Sequence, residues 1–118
     1  MTHLLFVCTD GRHRSVTGAE VWRDGDAAGL GPFDTRSAGT LPDALDRVRA
    51  SLVDWADVVV CMEERHARDV RWKFPEALGE ASIVTLGIPD DYQRGDPQLV
   101  ALLRERLPEE LADMSDQH

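Results

Sequence analysis

Apolar residues fall along this chain in two rhythms. A continuous apolar run, Leu4-Leu5-Phe6-Val7-Cys8, and a second of the buried type within Asp57–Met62 stand out, and Phe33–Ala38 and Ser82–Ile88 read as two further strands. Runs of this length and type predict strands covered on both faces. Between them the apolar positions recur at helical spacing. Val16, Ala19 and Trp22 follow the first strand, and Leu41, Leu45, Val48 and Leu52 follow the second. Glu63–Phe74 follows the third, with acidic residues at its start and Arg71 and Lys73 near its end, and Leu99, Leu103 and Leu107 line a last helix. Strand and helix alternating four times predict an α/β fold: a single domain over residues 1–118, with a four-stranded parallel sheet and helices on both faces.

The punctuation sets the expected boundaries. Ser15 or Thr17 caps the first helix, Thr17 and Glu20 have capping-box spacing, and Gly29-Leu30-Gly31-Pro32 ends it. Pro42 stands in the first turn of the second helix, Pro75 stops the third, and Asp96-Pro97 opens the last. Pro108 is expected to kink or restart that last helix, and the polar tail after Met114 to fray.

Length and charge narrow the classes of function. The 118 residues suit one core, and a formal net charge of −9 argues against nucleic acid or an anionic membrane as partner. No apolar run approaches a membrane span, and Met1-Thr2-His3 lacks the basic start of a signal peptide. The two cysteines, Cys8 and Cys61, both fall on predicted strands and make no disulfide framework, so the expected setting is the reducing cytoplasm. No metal-ligand spacing or phosphate-cradling Walker loop occurs, and Gly29 and Gly31 lack the third glycine of a dinucleotide fingerprint. No metal and no cofactor are expected.

The candidate chemistry lies where the first strand ends: Cys8-Thr9-Asp10-Gly11-Arg12-His13-Arg14-Ser15. A thiol at the tip of a buried strand faces a loop that opens into a helix N-terminus. The backbone N–H groups and the helix dipole make such a place hospitable to an anion, and a field of that sign favours a thiolate. Arg14 offers a planar fork matched to two phosphate oxygens, and Gly11 supplies tolerance of positive φ. The bland reading is a cysteine packed at the end of a core strand beside a solvated basic turn. The sharper one has Cys8 attack phosphorus while Arg14 and the amides of residues 9 to 14 hold the equatorial oxygens, and Ser15 donate to the sulfur.

At these residues the sequence resembles the low-molecular-weight protein tyrosine phosphatase family, whose loop reads Cys, five residues, Arg, Ser. Ser37-Ala38-Gly39-Thr40 looks like the end of the family's second strand, and Asp57–Met62 followed by an acidic residue looks like its third. Pro89-Asp90-Asp91-Tyr92 is similar to the family's Asp-Pro-aromatic acid loop, and the likeness, greatest to short bacterial-type members, spans most of the chain. The resemblance implies flavodoxin-like winding and a phosphocysteine-forming phosphomonoester hydrolase acting on phosphotyrosine-like groups, in a phosphorylated small molecule or phosphoprotein. It makes Asp90 the general acid, with Asp91, at the place of the motif's proline, as rival. It makes Tyr92 either a wall against an aromatic substrate or a packing residue, and Ser37 a support for the phosphate loop.

Other positions carry open alternatives. Asp10 would repel a phosphate unless it faces away or pairs with Arg12, which is expected to point outward. His13 stands where many relatives carry a second cysteine and is read as a loop residue without catalytic role. Cys61 is a core thiol or a redox partner for Cys8. Trp22, Trp55 and Trp72 are expected to pack, and Arg65, His66, Arg68, Arg71 and Lys73 to form a solvated helix face rather than a basic docking patch. Two rival functions remain: arsenate reduction with an external thiol, and a phosphate- or phosphoprotein-binding or phosphocarrier module. The oligomeric state is left open.

Overall fold

In the computed structural model, which describes residues 1–116, nine elements follow one another: β1 (Thr2–Cys8), α1 (Arg14–Trp22), β2 (Phe33–Gly39), α2 (Ala50–Trp55), β3 (Val58–Cys61), α3 (Glu64–Lys73), α4 (Pro75–Leu78), β4 (Ser82–Thr85) and α5 (Pro97–Asp116). The strands form one parallel sheet in the order β2-β1-β3-β4. The chain leaves β1 to one side for β2, then returns past it to β3 on the other. That reversal opens a crevice at the carboxyl end of β1, the place where open α/β sheets take their ligands. Cys8 is the last residue of β1.

Alternation along the strands divides the core in two. Leu4, Phe6, Cys8, Val58, Val60 and Met62 pack with Leu99, Leu103, Leu107 and Leu111 of α5 and Ala19 of α1. Leu5, Val7, Val59 and Cys61 pack with Leu52 and Val53 of α2 and Ala67 and Val70 of α3. The predicted α/β sheet with helices on both faces is therefore the architecture observed. The alternation also separates the cysteines. Both are free and buried, on opposite faces of the sheet, so Cys61 is not placed as a redox partner for Cys8. Burial pushes the Cys61 thiol up to about 12, further than the Arg71 charge lowers it, which makes it an inert core group.

Four expected boundaries need correction. The helix expected over Leu41–Leu52 is an irregular segment followed by the short α2, with Leu41 and Leu45 exposed. The reason lies in the hydrogen bonds: Leu41 N–H donates to Thr9 O and Leu45 N–H to Asp10 O, both at 3.0 Å, and Val48 N–H to Gly39 O at 2.9 Å. Donors that a helix would use internally are spent on the loop after β1 and the end of β2. Helix α1 starts at Arg14 with His13 at its N-cap and no side-chain cap, so neither Ser15 nor Thr17 caps it; it ends at Trp22, well before Gly29. Strand β4 ends at Thr85, three residues short of Ile88, although Leu86 and Ile88 still donate to Cys61 O and Met62 O.

Helix α5 runs through Pro108 as one helix to Asp116, past the expected fraying point at Met114; Gln117 and His118 lie outside the described residues. An interior proline costs about 3 kcal/mol. Leu99, Leu103, Leu107 and Leu111, each 0% exposed, flank it on the sheet side. At about 2 kcal/mol per buried leucine their burial outweighs the break.

Two of the three tryptophans pack as expected. Trp22 meets Phe33 edge-on, and Trp55 stacks on His3 at 4.4 Å. Trp72 does not; it is 82% exposed.

Candidate active site

The loop from Thr9 to His13 is shaped by what holds its outer side. The carbonyls of Cys8, Thr9 and Asp10 accept hydrogen bonds from the N–H groups of Thr40, Leu41 and Leu45, each at 3.0 Å. In a planar trans peptide the N–H points opposite to the C=O. The amides of Thr9, Asp10 and Gly11 are thereby turned to the other, concave side of the loop. Gly11 adopts φ +68°, which carries the loop round without the penalty a side chain would meet. Gly39 lets the end of β2 touch this loop: a Cβ there would lie 2.6 Å from both Asp10 C and Gly11 N. Gly39→Ala is expected to displace the loop and cut turnover of an aryl phosphate by about tenfold or more while the far-ultraviolet circular dichroism stays native. Unchanged kinetics in that variant would mean that the loop does not set the chemistry.

Cys8 is 1% exposed, and its Sγ lies 3.1 Å from Ser15 Oγ in the first turn of α1. At that distance a hydroxyl donates to a thiolate. Arg14 is also only 1% exposed, and almost every donor it carries is directed. Nη1 donates to Glu63 Oε2 and to Ile88 O, both at 2.7 Å. Nη2 reaches Thr9 Oγ1 at 3.4 Å, and Nε lies 3.7 Å from Asp90 Oδ1. The outer nitrogen is thus anchored by two short bonds, while the Nε–Nη2 edge keeps only long contacts. That edge is the bidentate one available to two oxygens of a phosphate.

Three segments far apart in sequence meet here, as the sheet topology predicts: the loop after β1, the turn after β3, and the loop after β4. Asp90, more than half exposed, reaches the Arg14 guanidinium; its neighbour Asp91 is exposed and makes no ion pair or hydrogen bond among the described residues. Tyr92 is half-buried and packs against the core, the second of its two expected roles. Asp96 caps α5 through its Oδ1, which accepts Gln98 N–H at 2.8 Å. The acid loop is strapped to α1. Arg94 N–H donates to His13 Nδ1 at 3.3 Å, Gly95 N–H to Thr17 Oγ1 at 3.1 Å, and the Arg94 guanidinium pairs with Glu20. His13 and Thr17 therefore hold the loop that carries Asp90. Arg12 is exposed, as expected. Ser37 makes no side-chain hydrogen bond to the phosphate loop among the described residues; the segment after Gly39 braces it instead.

Two site residues escaped sequence reasoning. Glu63 shares its Oε2 between Arg14 and Arg65, at 2.7 and 2.9 Å. Partial burial alone would raise its carboxyl, but hydrogen bonds from Arg65 and Arg14, with their charges, bring it down to about 2. His66, read from sequence as part of a solvated basic face, is 2% exposed. Its Nδ1 accepts Glu63 N–H at 3.1 Å, so Nε2 carries the proton and donates to Thr9 Oγ1 at 2.9 Å. The findable signal was Glu63 with His66 three residues on, a capping-box spacing directly after a buried strand. The rest of that face is solvated as expected, with Arg71 paired to Glu64 and Lys73 to Asp69.

Burial first, then the Arg14 and Arg65 charges, push the His66 ring from 6.5 down to about 4, against the pull of Glu63 and Asp69. The folded chain refuses a proton that the unfolded chain accepts between those two values. Stability from this group is complete above the unfolded value and lost as pH falls towards the folded one, at most about 3 kcal/mol. Glu63 adds a loss of the same sign at lower pH, between 4.5 and about 2. Melting temperatures are expected to fall as pH drops from 6.5 to 4, and less steeply in His66→Gln. Parallel curves for the two proteins would remove His66 from this account.

Strand order and the placement of Cys8 at the end of β1 agree with the class to which solved structures point: the chain has the fold of the low-molecular-weight protein tyrosine phosphatases. Among solved structures it is similar to a low-molecular-weight phosphotyrosine phosphatase from Vibrio cholerae O395, with 22% identity and TM-score 0.70 over 99% of this chain and 98% of that one. The tyrosine phosphatase Wzb from Escherichia coli K30, solved with phosphate, matches at 21% identity and TM-score 0.68 over 95% and 96%. The YwlE arginine phosphatase from Geobacillus stearothermophilus matches at 22% identity and TM-score 0.64 over 100% and 97%. No protein-family model matches the chain, and no curated protein matches its sequence. At these identities the likeness establishes the fold. No helix among the described residues is long and apolar enough to cross a membrane.

Proposed function

We propose that this protein is a cytoplasmic, cysteine-dependent phosphomonoester hydrolase whose substrates carry phosphotyrosine-like groups. The observation that carries the reading is a buried Arg14 whose Nε–Nη2 edge keeps only long contacts, to Thr9 and Asp90, next in sequence to the Ser15 that meets the Cys8 sulfur across a loop with inward-turned amides. Cys8 Sγ, as thiolate, attacks phosphorus; the S–P bond forms as the bond to the ester oxygen breaks. Asp90 gives its proton to that departing oxygen. In the second step a water attacks phosphorus, Asp90 takes its proton, the S–P bond breaks, and phosphate leaves. The loop amides and Arg14 hold the three equatorial oxygens throughout. Ser15, at 3.1 Å, stabilises the sulfur as attacking and as leaving group.

Glu63 and Ile88 O act on Arg14 alone: they fix which edge of the guanidinium the phosphoryl group meets. The neighbours described as tyrosine and arginine phosphatases support the reaction class, and the likeness of Pro89-Asp90-Asp91-Tyr92 to the tyrosine phosphatase acid loop favours an aryl ester over an arginine phosphate. An arsenate reductase with an internal thiol relay is disfavoured by Cys61, which faces the other side of the sheet. The deciding experiment is acid quenching during turnover of an aryl phosphate, followed by mass spectrometry of the peptide that contains Cys8. One added phosphoryl group on Cys8, formed and lost at the rate of turnover, is expected. A phosphocysteine that accumulates without release would instead identify a phosphocarrier.

A further inference from the structure

Asp10 meets neither condition under which its charge would be harmless. It does not face away from the loop, and no ion pair joins it to the Arg12 guanidinium among the described residues. Its Oδ1 instead accepts the backbone N–H of Arg12 at 3.1 Å and lies 3.9 Å from Cys8 Sγ. A carboxylate oxygen bonded to a loop amide and in contact with the sulfur stands where an equatorial oxygen of a bound phosphoryl group would stand, since such oxygens are held by the same amides over the same sulfur. The covering is consistent with the 1% exposure of Cys8.

We propose that Asp10 is a specificity-determining residue: its carboxylate occupies one oxyanion position of the cradle, and an incoming phosphoryl group has to displace it. This rests on the phosphatase reading of the same site. Displacement breaks the bond to Arg12 N–H and leaves a negative charge close to the phosphate oxygens, so free phosphate and substrate dianions are both bound weakly. The exchange leaves Arg14 and Asp90 in place and takes a carboxylate off the Cys8 sulfur before the chemical step, so the effect falls on KM and on inhibition by phosphate more than on kcat.

The test compares the native protein with Asp10→Gly and Asp10→Asn, using inorganic phosphate as probe in titration calorimetry and an aryl phosphate in kinetics. Asp10→Gly clears the position, and Asp10→Asn keeps the shape while removing the charge. Asp10→Gly is expected to lower the phosphate Kd by about 10- to 100-fold, and Asp10→Asn to lower it by less, with KM following Kd in each. The asparagine variant also guards against a glycine variant that misfolds. A Kd in both variants equal to or weaker than that of the native protein overturns the inference, whatever the kinetics. Tighter phosphate binding by the variants without aryl phosphate turnover in any protein leaves the occupied cradle standing and removes the phosphatase reading. Cys8-dependent turnover with an unchanged Kd does the opposite.

Discussion

Cys8→Ser is expected to lower turnover of an aryl phosphate by about 10⁴-fold or more, and Arg14→Lys by about 10²- to 10³-fold, both with the fold intact. The serine hydroxyl fits where the thiol does, 3.1 Å from Ser15 Oγ, so packing is preserved and only nucleophilicity is lost. A hydroxyl stays protonated near neutral pH, and the Asp10 carboxylate, 3.9 Å from the Cys8 sulfur, is far too weak a base to ionise it. The arginine variant is the sharper test because it keeps the charge. Lysine places one ammonium in the space of a fork, and Glu63 with Ile88 O, which take Nη1 at 2.7 Å in the native protein, draw that ammonium away from the sulfur. The Nε–Nη2 edge then has no replacement. A lysine variant with more than a tenth of native kcat/KM would show that charge alone suffices, and the edge-presentation argument would be lost.

Much of this site was legible in the sequence because its central part is local. A strand, a cysteine, a glycine-bearing loop and a helix start are contiguous from Leu4 to Ser15, and each leaves a mark in residue type and spacing. The joining of Asp90 to that loop was also accessible, since parallel sheets gather their loops at the carboxyl edge. What failed was whatever depends on contacts made across the sheet. Glu63 reaches Arg14 over 49 positions, and His66 reaches Thr9 over 57. Nothing in helical periodicity tells a histidine on a basic face that the phosphate loop will pass beside it. The segment from Thr40 to Arg49 failed for the same reason in reverse. Its leucines have helical spacing, yet the amides of Leu41 and Leu45 bond to the loop after β1 instead of to their own segment. Asp10 was recognised as a conflict from its charge; its turn towards Arg12 N–H and the Cys8 sulfur left no mark in residue type or spacing.

Asp90→Asn is expected to lower kcat by about 10²- to 10³-fold on an unactivated aryl phosphate, and far less on one whose phenol leaves without a proton. The dependence on leaving group separates a lost proton donor from a disturbed Thr9–His13 cradle, because disturbance of the cradle slows every ester alike. Asp91→Asn is expected to lose less than about threefold, since that side chain is exposed and contacts nothing in the site. The strap to α1 predicts a third behaviour. Arg94 touches Glu20 and, through its backbone, His13, yet neither contact reaches the reacting atoms. Arg94→Ala therefore reproduces the leaving-group dependence of Asp90→Asn in weaker form, because it loosens the position of the acid without removing it. Glu20→Ala is expected to match it, and the double variant to lose no more than either single one, the signature of two residues acting through one contact. Equal loss on activated and unactivated esters in Asp90→Asn would take the proton away from Asp90 and leave the departing oxygen to water.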